Sequence, residues 1–121
     1  MAKIMVVEDD TLLSTIFLQN LRNAGFEAMG IFDGADAIDK TKSIKPDLIL
    51  LDILLPTKNG YEVLTAVRGD SQTAQIPVII LSNLGQPEDI EKAKKIGITD
   101  YLVKANVTPQ EVIEKVRSLV K

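Results

Sequence analysis

Five side chains stand out in the 121-residue chain because each follows directly on an apolar run. Glu8 and Asp9 follow Ile4, Met5, Val6 and Val7; Asp52 follows Leu48, Ile49, Leu50 and Leu51; Ser82 follows Val78 to Leu81; Lys104 follows Tyr101, Leu102 and Val103. The chain has no histidine and no cysteine, which removes the commonest general base, the commonest metal ligand and every thiolate site. Any bound metal must then be held by oxygen, and the choices are Mg²⁺, Ca²⁺ or Mn²⁺. If the three acids converge, they repel one another and stay ionised only when a cation joins them. Mg²⁺ takes one or two carboxylates, keeps several waters and completes its octahedron with phosphate oxygens. The chemistry that this set suits is phosphoryl transfer. Asp52, already ionised, would act as nucleophile without a base, while the Ser82 hydroxyl and the Lys104 ammonium stabilise charge on the equatorial oxygens.

These groups work together only if the backbone brings them to one place. The uninterrupted run Leu48–Leu51, followed by the turn signals Pro56 and Gly60, reads as a strand buried on both faces of a parallel sheet. Ile4–Val7, Phe26–Ile31, Val78–Leu81 and Asp100–Lys104 read as the other strands. Between them lie amphipathic stretches. The first places Leu12, Leu13, Ile16, Phe17 and Leu21 on one stripe, with Asp10 or Thr11 as N-cap and Gly25 as terminator. The second opens at Asp33 and runs to Lys42, Lys45 and Pro46, with charges that suit the helix dipole. A third starts near Asn59, where Glu62 gives a capping-box spacing, buries Val63, Leu64 and Val67, and ends at Gly69. The fourth begins at Gln86–Pro87–Glu88–Asp89, turns Ile90, Ala93 and Ile96 inward and stops at Gly97; the fifth begins at Thr108–Pro109 and buries Val112, Ile113, Val116, Leu119 and Val120. Five strand–helix alternations specify an α/β fold, a doubly wound five-stranded parallel sheet, since closure into a barrel needs about eight units. In the order 2-1-3-4-5 the switch point lies between strands 1 and 3 and brings Glu8 and Asp9 to Asp52 at the carboxyl edge, where ligands bind.

Composition bounds the rest. At 121 residues, with 45% hydrophobic and 26% charged residues, one globular domain over residues 1–121 is expected. The net charge of −3 without a basic cluster argues against direct nucleic-acid binding and against an anionic membrane surface. Acids arrive too early for a signal peptide and no apolar run approaches a membrane span, so a cytoplasmic protein is expected.

Val6, Val7, Glu8, Asp9 and Asp10, then Leu50, Leu51, Asp52 and Pro56, Asn59 and Gly60, Leu81 and Ser82, and Tyr101 to Lys104 together resemble the receiver domain of bacterial two-component response regulators, of the stand-alone, single-domain type. The resemblance spans the chain and supports the flavodoxin-like strand order, which periodicity alone leaves open. It implies that Asp52 is the phospho-acceptor, that Glu8 and Asp9 hold Mg²⁺, and that the backbone carbonyl of Leu54 is a further metal ligand. It also implies that Lys104 pairs with the phosphoryl group, that Ser82 is the switch hydroxyl and that Tyr101 is the aromatic that rotates with it. Core packing is the other reading of Tyr101. Two positions depart from the family pattern. Ala105 stands where proline usually follows the lysine, which favours a trans bond and a differently shaped loop. Asn83 stands where a small residue usually follows the hydroxyl.

The expected function is that of a receiver taking a phosphoryl group from a histidine kinase or histidine phosphotransfer protein and passing a change in the helix 4–strand 5–helix 5 face to a downstream protein effector. A monomer or a weak phosphorylation-dependent dimer is expected, without turnover of external substrates. A receiver-like interaction module working without phosphorylation is the alternative. An aspartyl phosphatase would resemble a pattern with a second Asp two residues after the nucleophile, and Leu54 occupies that position.

Overall fold

The apolar runs become the strands of one parallel sheet: β1 (Lys3–Val7), β2 (Glu27–Ile31), β3 (Leu48–Leu51), β4 (Val78–Ser82) and β5 (Asp100–Val103), in the order β2-β1-β3-β4-β5. The coordinates are a computed structural model that describes residues 1–120. Helices α1 (Thr11–Asn23), α2 (Gly34–Ile44), α3 (Gly60–Gly69), α4 (Pro87–Ile96) and α5 (Pro109–Leu119) follow the strands in turn.

Because side chains alternate across a strand, the central strands feed two cores. Met5, Val7, Ile49, Leu51, Val78 and Ile80 pack with Ala37, Val63, Leu64, Val67 and Ala93 from α2, α3 and α4. Ile4, Val6, Leu48, Leu50, Ile79 and Leu81 pack with Phe17 and Leu21 of α1 and Val112, Ile113 and Val116 of α5. Burying each such side chain contributes about 2 kcal/mol, so β1, β3 and β4 form the rigid part of the molecule. Their carboxyl ends inherit that rigidity.

Local chemistry sets where the helices begin. The Asp10 side chain accepts the Leu13 N–H at 3.1 Å and caps α1. Asn59 and Glu62 form the capping box of α3, at 3.0 and 3.2 Å, and Thr108 and Glu111 that of α5, at 3.1 and 2.9 Å. Gly60 starts α3 against the end of β3: a Cβ there would stand 2.3 Å from the Asp52 carbonyl oxygen, so only glycine allows the approach.

Four expectations need correction. Leu12 is 72% and Ile16 37% exposed, and the inward stripe of α1 runs through Ser14, Phe17 and Leu21. A serine occupies the first inward slot, so counting apolar residues shifts the stripe towards Leu12 and Ile16. Leu119 is 38% exposed, whereas Val120, the C-cap of α5, is partly buried against the core beneath α1 and α5. In α4 only Ala93 is buried, with Ile90 and Ile96 half-covered at the edge. The fifth strand stops at Val103, and Lys104 opens a 3₁₀ turn, Lys104–Asn106. Among the described residues no helix is long and apolar enough to cross a membrane.

Candidate functional site

β1 lies beside β3 with Val7 opposite Leu51, so the next residues of both strands leave the sheet at the same level. The ladder extends one residue further: the Glu8 N–H donates to the Ile31 carbonyl and the Asp52 N–H to the Val7 carbonyl, each at 3.0 Å. Both acids thereby begin from fixed backbone. Glu8 and Asp52 are 4% and 5% exposed, Asp9 faces solvent, and one carboxylate oxygen from each of the three lies within 4.8 Å of the others.

Lys104 reaches into this cluster from beyond β5. Its Nζ lies 2.8 Å from Asp52 Oδ2 and also contacts Glu8 Oε1. The remaining oxygens have weaker partners: Glu8 Oε2 accepts the Asp10 N–H at 3.1 Å and Asp52 Oδ1 the Leu54 N–H at 3.3 Å. Burial raises the pKa of Glu8, with the charge on Asp52 adding to the rise, against the lowering effect of its hydrogen bonds to Lys104 and Asp10. For Lys104, burial pulls the pKa down, but hydrogen bonds to Asp52 and Glu8, together with their charges, outweigh it and leave the ammonium above its ordinary value.

At an effective dielectric of about 20, two like charges 4 Å apart repel by about 4 kcal/mol. Lys104 answers Glu8 and Asp52, and among the described residues no ion pair involves Asp9. Three negative charges against one positive leave the cluster acidic on its solvent side. The Leu54 carbonyl borders the same loop and accepts no hydrogen bond from a described residue. Hard oxygen donors with a surplus of negative charge, open to water on one side, fit a divalent cation that retains waters, as Mg²⁺ does.

Ser82 ends β4, opposite Val103 of β5. It is fully buried, and its Oγ accepts the Leu84 N–H at 3.3 Å. Tyr101 is half-buried against the core, and its hydroxyl donates to the Leu84 carbonyl at 2.5 Å. Burial, then the neighbouring Tyr61, Asp89 and Asp52, push its phenol up to about 12. Ser82 and Tyr101 are thus joined through one residue, Leu84, by its N–H and its C=O. Sequence reasoning missed Leu84 because both contacts use its backbone. Asn83 is exposed, and the Lys104–Ala105 peptide is trans. The structure therefore gathers Glu8, Asp9, Asp52 and Lys104 in one cluster, while Ser82 and Tyr101 are linked to each other through the Leu84 backbone.

A doubly wound sheet in this order, with acids and a lysine at its switch point, defines a class of α/β proteins that handle a ligand at the carboxyl edge. The chain belongs to a particular family within that class: residues 4–117 match the response regulator receiver domain. It is 35% identical over 121 residues to the DNA-binding dual master transcriptional regulator RpaA of Synechocystis, covering 100% of this chain and 50% of the relative. The chain thus spans about half the length of such curated relatives. Among solved structures it resembles the Vibrio cholerae chemotaxis protein CheY4, with TM-score 0.91, 29% identity and 99% of each chain covered. It also resembles the BeF₃-activated N-terminal receiver domain of Klebsiella pneumoniae RstA, with TM-score 0.88, 29% identity and 97% of each chain covered. The chain is a receiver domain of two-component signalling, and the reading as a module working without phosphorylation is not favoured.

Proposed function

We propose that Asp52 accepts a phosphoryl group from a phosphohistidine on a histidine kinase or histidine phosphotransfer protein. A carboxylate oxygen of Asp52 bonds to phosphorus as the P–N bond to histidine breaks, and the departing imidazole keeps the electron pair and takes up a proton. Glu8, Asp9, Asp52 and the Leu54 carbonyl would hold Mg²⁺, which would neutralise charge on the phosphoryl oxygens. Lys104, tethered to Asp52 at 2.8 Å, is placed to follow the charge as it moves onto the new group. Glu8 turns Lys104 towards Asp52. Ser82 and Tyr101, linked through Leu84, pass the change to the face made by α4, β5 and α5, where a downstream effector reads it.

The observation that carries this reading is the convergence of three acids at the switch point, two of them almost fully buried and paired with Lys104. Turnover of external substrates is not part of the proposal, because Leu54 offers no general acid. A cytoplasmic location belongs to the same reading, supported by the receiver family match. The DNA-binding named for RpaA belongs to a protein twice as long, and the acidic balance of −3 in this chain favours a protein as its own partner.

Intact-mass measurement after treatment with acetyl phosphate and Mg²⁺ tests the assignment. The wild type should gain one phosphoryl group, and chelating the metal or introducing Asp52→Asn should abolish the gain. A wild type that stays unmodified would overturn it.

A further inference from the structure

The loop between β3 and α3 carries the Leu54 carbonyl, and it is tied down by an unusual residue. Thr57 has φ of 65°, a conformation that β-branched residues rarely adopt. The Lys58 N–H donates back to the Pro56 carbonyl at 2.8 Å across it, which is the strained form of γ-turn with positive central φ. Glycine or asparagine would take that backbone shape at lower cost.

The threonine hydroxyl accounts for the choice. Oγ1 accepts the Ala35 N–H at 3.0 Å and donates to Asp33 Oδ1 at 3.2 Å. Asp33 Oδ1 also accepts the Asp36 N–H at 2.8 Å as the N-cap of α2. Beside it the Gly34 N–H donates to the Pro56 carbonyl at 3.1 Å. The two backbones approach so closely that a Cβ on Gly34 would stand 1.7 Å from the Lys58 carbonyl oxygen. The start of α2 therefore holds the far side of the loop at two successive residues, 56 and 57. On its near side the Ile53 carbonyl accepts both the Leu55 and the Gly60 N–H, at 3.1 and 2.8 Å. Leu54 lies between these two anchors, with its own carbonyl left unengaged by the described residues.

We propose that Thr57 and Asp33 are positioning residues for the divalent cation: the Thr57 hydroxyl, clasped between the Asp33 carboxylate and the Ala35 N–H, fixes the loop that presents the Leu54 carbonyl. This rests on the receiver reading of the acidic cluster. It adds that the start of α2, which contributes no ligand itself, sets the affinity of the site. Strain at Thr57 is retained because the hydroxyl must reach Asp33 from that one backbone position.

Mg²⁺ titration calorimetry on the intact chain tests it, paired with urea unfolding in EDTA. Thr57→Val, which keeps the shape and loses the hydroxyl, should weaken Mg²⁺ binding about ten-fold, the low end for a group that orients a ligand. Thr57→Ser should stay within about two-fold of wild type, and Asp33→Asn, which keeps the acceptor oxygen, should do the same. Thr57→Gly separates positioning from folding. It removes the strain, so metal-free stability should hold or rise, while Mg²⁺ binding still weakens about ten-fold. Should Thr57→Val fail to fold, Thr57→Gly decides the matter. Wild-type affinity in Thr57→Gly and Thr57→Val, with wild-type phosphoryl uptake intact, would overturn the positioning role alone. A wild type that binds no Mg²⁺ would overturn the receiver reading together with it.

Discussion

The two ends of the sheet use charge in opposite ways. At the amino-terminal end Arg68, Asp47 and Lys115 each settle with partners of their own. The Arg68 guanidinium, on α3, donates to the carbonyls of Gly97, Ala74 and Ile76 at 2.9, 2.9 and 2.7 Å. Asp47 accepts the Lys3 N–H at 2.7 Å, and Lys115 pairs with Asp100 at 2.8 Å. At the carboxyl end three acids cluster, two of them share one lysine, and the third, Asp9, has no ion-pair partner among the described residues. The first arrangement spends its donors on closing loops and has nothing left to bind with. The second remains short of positive charge, and that shortage is what a metal ion and a phosphoryl group can use. Proteins keep costly polar groups where they act and satisfied ones where they only hold.

Substitutions at the two ends should therefore separate activity from stability. The largest effect on activity is expected from Asp52→Asn, which removes the nucleophile: phosphoryl uptake, read by intact mass, should vanish while the urea midpoint holds or rises. The largest effect on stability is expected at the other end. Arg68→Ala leaves three carbonyls without their donor and should cost about 3 kcal/mol in urea unfolding, since hydrogen bonds to charged groups are the stronger kind. The folded fraction should still take up one phosphoryl group, and loss of uptake would erase the distinction between the two ends. Glu8→Gln sharpens the comparison, because one residue should move both quantities in opposite directions. Burial holds the Glu8 pKa above its ordinary value, so its ionised form weighs on the folded state and the Gln variant should hold or raise the metal-free urea midpoint, while Mg²⁺ binding weakens by at least about ten-fold.

The smallest effect is expected from Tyr101→Phe, below about 1 kcal/mol at neutral pH, the value of one hydrogen bond. Its pH dependence is more telling. Burial holds the phenol neutral up to about 12, above the value of about 10 for an unfolded tyrosine. The stability that this contributes is fully present below pH 10 and is lost as pH rises from about 10 through about 12. The Phe variant should lack that part of the alkaline loss, and its ultraviolet titration should lack the phenolate component near 12. An unchanged alkaline profile would place Tyr101 outside the packed face.

Much of the fold was legible because the signals are local. The run Leu48–Leu51 has four apolar residues and no polar break, and only a strand covered on both faces accommodates that. Asn59 with Glu62, and Thr108 with Glu111, announce helix starts by chemistry confined to four residues. The reading failed where the partner lies elsewhere. Ser14 faces the core and Leu12 faces water, because the direction of α1 is set by its packing on β1 and β2. Lys104 opens a 3₁₀ turn beyond β5, and its ammonium meets Glu8 and Asp52, acids from two distant stretches of chain. Leu84 and Thr57 were invisible for a related reason. One acts through its backbone, and the other through a hydroxyl whose partners, Ala35 and Asp33, lie 22 and 24 positions away.

By itself the sequence determined which groups are available: acids, a hydroxyl and a lysine at the ends of apolar runs, and oxygen as the sole donor type for a metal. Those are properties of composition and short-range pattern. Periodicity left the strand order open, and the resemblance supplied the order that puts β1 beside β3; only the tertiary structure decided that Glu8 and Asp52 share one ammonium, and that the start of α2 grips the loop bearing Leu54. These depend on contacts between residues 22 to 96 positions apart, whose strength comes from burial and from geometry that no local spacing records.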